Sequence, residues 1–292
     1  MRVTNSFSQQ DYLNNLSRVQ SELNAALERM STQLRVQKGS DDPVAATELG
    51  ELADETKMLT MRKNGISQSQ PWLELTEQGI SDLNTVLIKA QTYAEQGASS
   101  TLNTSQRQAL AEQIAGLRDQ VKSIVSLRVN GQYIFSGTRT DIAPYGAAGT
   151  YQGNEAVISI PLDQNTAPIN IPGDQIFGDG TTTGPLKLLA DLENALRNGT
   201  ADDVQALLDP LRTAQQNNSV MIAKIGNMRS AIEDANTRIN NRQTTVAARA
   251  NELGAADLAT AISDVTRFTQ AHQATLSAGA RIFGATFFDY MG

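Results

Sequence analysis

The chain has 292 residues, with 24 Lys plus Arg against 31 Asp plus Glu and a net charge of −7. Neither sign forms a run of five, which argues against a nucleic-acid or anionic-membrane partner. Aromatics are only 5% and cysteine is absent, so an all-β barrel is disfavoured, while disulfides, thiolate metal sites and thiol catalysis are excluded.

Met1 to Gln10 carries one Arg and no apolar core of signal-peptide length. No uninterrupted apolar stretch is long enough to span a membrane. On these grounds alone the chain reads as cytosolic, unless export proceeds without a cleaved signal.

The first element is marked by Leu13, Leu16, Gln20, Leu23, Leu27, Met30 and Leu34. Their alternating steps of three and four form a coiled-coil seam that needs a partner helix. Gly39-Ser40-Asp41-Asp42-Pro43 interrupts the seam. Its carboxylates are able to cap a helix and Pro43 suits a first helical position, so a second helix is predicted to start there. That helix carries a row at every seventh residue, Leu52, Leu59, Ile66, Leu73, Ile80, Leu87 and Ala94, ending at Gly97. Pro71 is expected to kink it. A third helix follows from about Thr104, with Leu110, Ile114, Leu117, Val121 and Ile124 as its stripe and Gly131 as its end.

From Gly131 to about Pro185 Gly and Pro punctuate the chain, with Tyr133-Ile134-Phe135 as a short strand and Ile158, Ile160 and Leu162 alternating on one face. Leu186 to Leu196 and Val204 to Leu208 read as short helices joined through Asn198-Gly199. A long seam runs from Leu211 through Asn218, Ile225, Ile232 and Ile239 to Val246. It resumes at Leu258 through Ile262, Val265, His272, Leu276 and Phe283 in a different phase. The step across Gly254 rotates the apolar face, so the two halves are expected to meet different partners.

The fold class expected is therefore mainly α with a small β insertion: long antiparallel helices, with coiled-coil helices at both ends. Little in the chain suggests catalysis. The single histidine, His272, lies on the last seam, reads as an interface residue, and has no second histidine with which to bind a metal. Asp41-Asp42 could pose as an acid and base pair, but before a proline it reads better as a cap. The Gly-rich stretch from Gly173 to Gly184 lacks the lysine and the context of a phosphate loop. Trp72 reads as core packing. Catalytic, metal and cofactor sites are each expected to be absent.

Three stretches resemble the flagellin superfamily: Lys38-Gly39-Ser40-Asp41-Asp42-Pro43-Val44-Ala45-Ala46; Asn130-Gly131-Gln132-Tyr133-Ile134-Phe135-Ser136-Gly137-Thr138-Arg139 with Pro144-Tyr145; and Ala256-Asp257-Leu258-Ala259-Thr260-Ala261-Ile262 with Ser277 to Phe283. The ending Phe287-Phe288-Asp289-Tyr290-Met291 is similar to that of the superfamily's hook-filament junction branch rather than to the filament flagellins. The resemblance implies an inner-tube region of residues 1–38 and 256–292, a helical rod of 42–131 and 204–254, and a mainly β outer domain of 132–203 with short helices. It implies assembly through Leu13, Leu16, Leu23, Leu27, Met30, Leu34, Leu258, Ile262, Val265, Leu276, Phe283 and Phe287, with a domain joint at Asp42, Pro43 and Gly254. The implied partners are further copies in a ring-like zone, an adjacent hook-associated protein, flagellin and an export chaperone, outside the cell and without signal cleavage. Neither nucleic acid nor membrane is among them. The rival readings are a filament flagellin, or a cytoplasmic signalling coiled coil, which would lack the β insertion.

Overall fold

The computed structural model describes residues 2–146, 149–162, 165–182 and 184–291, and the side chains of those between Gln10 and Arg281. The elements, in order, are α1 (Arg2–Thr32), α2 (Pro43–Gly97), α3 (Thr104–Val125), β1 (Arg128–Val129), β2 (Gln132–Tyr133), β3 (Ser159–Pro161), β4 (Thr166–Pro168), α4 (Gly173–Phe177), α5 (Pro185–Asn198), α6 (Ala201–Gln205), α7 (Leu208–Gly254) and α8 (Leu258–Met291). The chain divides into two compact units. One joins the residues up to Met58 with those from Arg242 on, and the other spans Leu59–Asn241.

In the Leu59–Asn241 unit the heptad row of α2 is the core. Leu59, Ile66, Leu73, Ile80, Leu87 and Ala94 are all buried, as is Trp72 beside Pro71. The helix runs on through Pro71. α7 lies antiparallel to this stretch, since Lys63 bonds Asn240, Glu77 pairs with Arg229, and Gln215 donates to the Leu87 carbonyl. Its Leu211, Ile225, Met228, Ile232, Ala235 and Ile239 are buried. α3 starts on a capping box in which Asn103 and Gln106 exchange side-chain and backbone bonds, and it packs on α5 through the buried faces Ile114–Leu117–Val121 and Leu189–Leu192–Leu196.

α3 stops at Val125, six residues before the end expected at Gly131. The chain then turns back as a hairpin, with Arg128 opposite Tyr133 and Val129 opposite Gln132. Asn130 and Gly131 make the turn at φ 52° and 82°, the left-handed pair that a two-residue hairpin requires. Ile134 and Phe135, expected to extend a strand, instead lie fully buried beyond it. Phe135 meets Phe177 edge-on at 5.1 Å. The Tyr151 hydroxyl lies 3.0 Å from the carbonyls of both Phe135 and Asn154, and burial pushes its pKa up to about 12. β3 and β4 form a second antiparallel pair, extended by the Ile169 N–H donating to the Ile158 carbonyl.

Candidate assembly surface and joint

α1 and α8 form an antiparallel helical hairpin. His272 Nε2 lies 2.8 Å from Gln20 Oε1, Arg29 stands 3.8 Å from Asp264, and a Cβ on Gly279 would run into the Tyr12 ring. The contact row on α1 is Tyr12, Leu16, Val19, Leu23, Ala26 and Met30, with Val19 and Ala26 buried and the rest half-buried. Facing it on α8 are Ala261, Val265, Phe268, His272, Thr275 and Gly279. Glycine at 279 leaves room for the tyrosine ring, which a longer side chain would displace.

The apolar seam expected from the sequence therefore splits. Leu16, Leu23, Met30 and Val265 face the partner helix, whereas Leu13, Leu27, Leu34, Leu258, Ile262 and Leu276 remain 40–49% exposed. The side chains of Phe283 and Phe287 lie outside the described residues. On each helix the exposed row is rotated by roughly 60–100° from the contact row, in the direction of increasing residue number at 3.6 residues per turn. In an antiparallel pair, equal rotations of that sense carry both rows to the same side. The hairpin thus has one apolar seam closed within the chain and a second apolar face, built by both helices, that the chain leaves open.

The hairpin meets the helices next to it through paired linkers. Gln33 ends α1 with a left-handed backbone at φ 58°. The Ala256 N–H donates to the Gln33 carbonyl at 2.9 Å and the Arg35 N–H donates to the Gly254 carbonyl at 2.7 Å, with Leu34 opposite Ala255. Gly254 is buried, and a Cβ there would stand 3.4 Å from both Leu49 methyl groups. Asp42 caps α2: its Oδ1 accepts the Ala45 N–H at 3.0 Å, and Pro43 takes the first helical position. That N–H, followed by the Arg35 guanidinium, holds the Asp42 carboxyl below the usual carboxylate range. Asp41 faces the other way, closing the turn by accepting the Lys38 and Gln37 N–H groups. At the far side Asp257 caps α8 through the Ala259 N–H at 2.9 Å and the Thr260 hydroxyl at 3.0 Å. The start of α2 and the end of α7 are bridged by Arg249 with Glu48 at 3.0 Å and Arg242 with Glu55 at 2.5 Å.

Of these residues, Val19, Ala26 and Arg35 were not singled out from sequence. Small side chains at seven-residue spacing, Val19 and Ala26, were the available signal for the first two. Among the described residues no group of three or more His, Asp or Glu side chains could hold a metal ion, and no helix is long and apolar enough to cross a membrane.

Residues 3–140 match the bacterial flagellin N-terminal helical region. Over 261 residues the chain is 28% identical to flagellar hook-associated protein 3 of Salmonella typhimurium, which covers 87% of this chain and 79% of that protein. It is 30% identical over 188 residues to flagellar hook-associated protein 3 of Escherichia coli, covering 62% of this chain and 58% of that protein. A solved flagellar hook-associated protein from Vibrio parahaemolyticus shares the fold, with a TM-score of 0.68 at 19% identity over 74% of this chain and 100% of that chain. Flagellins are more distant: one from Shigella flexneri is 25% identical over a stretch covering 42% of its length. In its first half and in its fold the chain is similar to flagellin-like proteins. Among these it spans a larger share of hook-associated protein 3, the hook-filament junction group, than of the filament flagellins.

Proposed function

We propose that the protein is the structural subunit that joins the flagellar hook to the filament, and that copies associate through the open apolar face of the terminal hairpin. The observation that carries the reading is that face: Leu13 and Leu27 of α1 and Leu258, Ile262 and Leu276 of α8 lie on one side of the two helices and remain 40–49% exposed. Large apolar side chains recurring on one side of a helix pair are the kind that neighbouring helices cover in coiled assemblies. Asp42, Pro43 and Gly254 form the joint between the tube-forming ends, residues 1–38 and 256–292, and the rod of 42–131 and 204–254. Residues 132–203 make the part that projects outward.

The same reading makes hook-associated protein and flagellin the neighbours in the assembly and includes an export chaperone, with secretion that removes no signal peptide. It gives the chain no catalytic role, and His272 serves in the hairpin through Gln20. A filament flagellin is the second reading, and the larger share of the hook-associated relatives that the chain spans speaks against it. Deleting the gene tests the proposal. Hooks without filaments, with flagellin shed into the medium, are the expected phenotype; normal filaments overturn it.

A further inference from the structure

We propose that Arg35 is the positioning residue that holds the terminal hairpin at one angle to the stem formed by the start of α2 and the end of α7. The linkers are tied to each other by two backbone hydrogen bonds, Ala256 to Gln33 and Arg35 to Gly254. Two bonds side by side define a line, and a line is a hinge axis: they leave rotation about themselves unopposed. The Arg35 side chain supplies the points off that axis. One guanidinium nitrogen donates to Asp42 Oδ2 at 2.9 Å and the other donates to the Leu253 carbonyl at 2.8 Å. A single residue thereby reaches the N-cap of α2 and, through its side chain and its own N–H, the carbonyls of the last two residues of α7, Leu253 and Gly254.

Each acceptor suits a guanidinium. The Leu253 carbonyl is among the last four of α7, which lack helical partners and carry the negative end of the helix dipole. Asp42 divides its carboxylate, with Oδ1 serving the cap and Oδ2 serving Arg35, so the start of α2 and the clasp share one side chain. The planar fork of arginine fixes the directions of both donors together, whereas a lysine ammonium serves as a point charge on a flexible stem. The Arg35 side chain is 47% exposed. Its removal therefore strands no buried charge, and positioning can be separated from folding.

The chain has no cysteine, so nitroxide labels can be placed without background on exposed Ser21 of α1 and Asp54 of α2 through S21C and D54C. Pulsed dipolar spectroscopy on the full chain then reads the spread of hairpin angles. Expected are a narrow distance distribution with Arg35 in place, one at least twofold wider in R35A with helix content unchanged by circular dichroism, and an intermediate width in R35K. A folded R35A with the distribution of the parent overturns the proposal. Should R35A fail to fold, R35K decides in the same way, since a folded R35K with the parental width leaves the fork without a role.

Discussion

Replacing Leu13, Leu27 and Ile262 together by glutamine should weaken assembly while leaving the monomer intact. These side chains are 48%, 40% and 49% exposed. Full burial of such a side chain is worth about 1.5–3 kcal/mol, so roughly 1 kcal/mol per residue remains to be gained from a neighbour. Three substitutions forgo about 3 kcal/mol, on the order of a hundredfold in the concentration needed for association. Glutamine is close to leucine in helix propensity, and exposed substitutions usually move stability by no more than about 0.5 kcal/mol. Val19→Gln is the matched control: its site is buried against α8, so it should lower the melting temperature of the monomer itself. Concentration-dependent sedimentation with thermal unfolding on the same samples measures both effects. The reasoning fails if the folded triple variant associates at the parental concentration, or if it melts as early as the Val19 variant.

Gln33→Gly should stabilise the chain by about 0.5–1 kcal/mol, because a left-handed residue after a helix carries a Cβ penalty that glycine escapes; unchanged urea unfolding would contradict this. Asp174→Asn should stabilise the Leu59–Asn241 unit at neutral pH. Burial, and then Glu155, raise the pKa of the Asp174 carboxyl, and its Oδ1 is buried without a hydrogen-bond partner among the described residues. The folded chain therefore holds this proton more tightly than the unfolded one. Stability is present in acid and is lost as pH rises through the raised pKa. The asparagine variant should flatten that slope, and melting curves from below the ordinary carboxylate range up to neutral pH that stay parallel for the two proteins would refute it.

Signals confined to a few adjacent residues were legible in the sequence. Asp42 and Pro43 mark the start of α2 and Gly97 its end, and the row from Leu59 to Ala94 is buried as its period requires. What escaped depends on distant partners. On α1 the apolar positions occupy two neighbouring rows, and only the presence of α8 decides that Val19 and Ala26 face inward while Leu13 and Leu27 face water. Arg35 has no local signature either, since the carbonyl it reaches lies 218 residues away. Asn130-Gly131 was different: the dipeptide is a hairpin signal in its own right, but Gly131 reads equally as a helix end, so β1 was not expected, and of the expected strand only Tyr133 lies in β2.

The separation of 252 residues between Gln20 and His272 also dictates an order of events in time. Nothing in α1 can close its contact row until the far end of the chain has been made or has emerged, so the first segment to appear is among the last to settle. Closing so long a loop costs an isolated pair of helices about 5 kcal/mol of chain entropy plus a constant, and the cost falls once the residues between Leu59 and Asn241 have condensed and shortened the effective loop. Closure is then expected to begin where Leu34 meets Ala255 and to proceed outward, through Arg29 with Asp264 and Gln20 with His272, to Tyr12 over Gly279. A chain travelling unfolded would keep its association surface unmade for the whole passage, and the two ends would become competent together, on arrival.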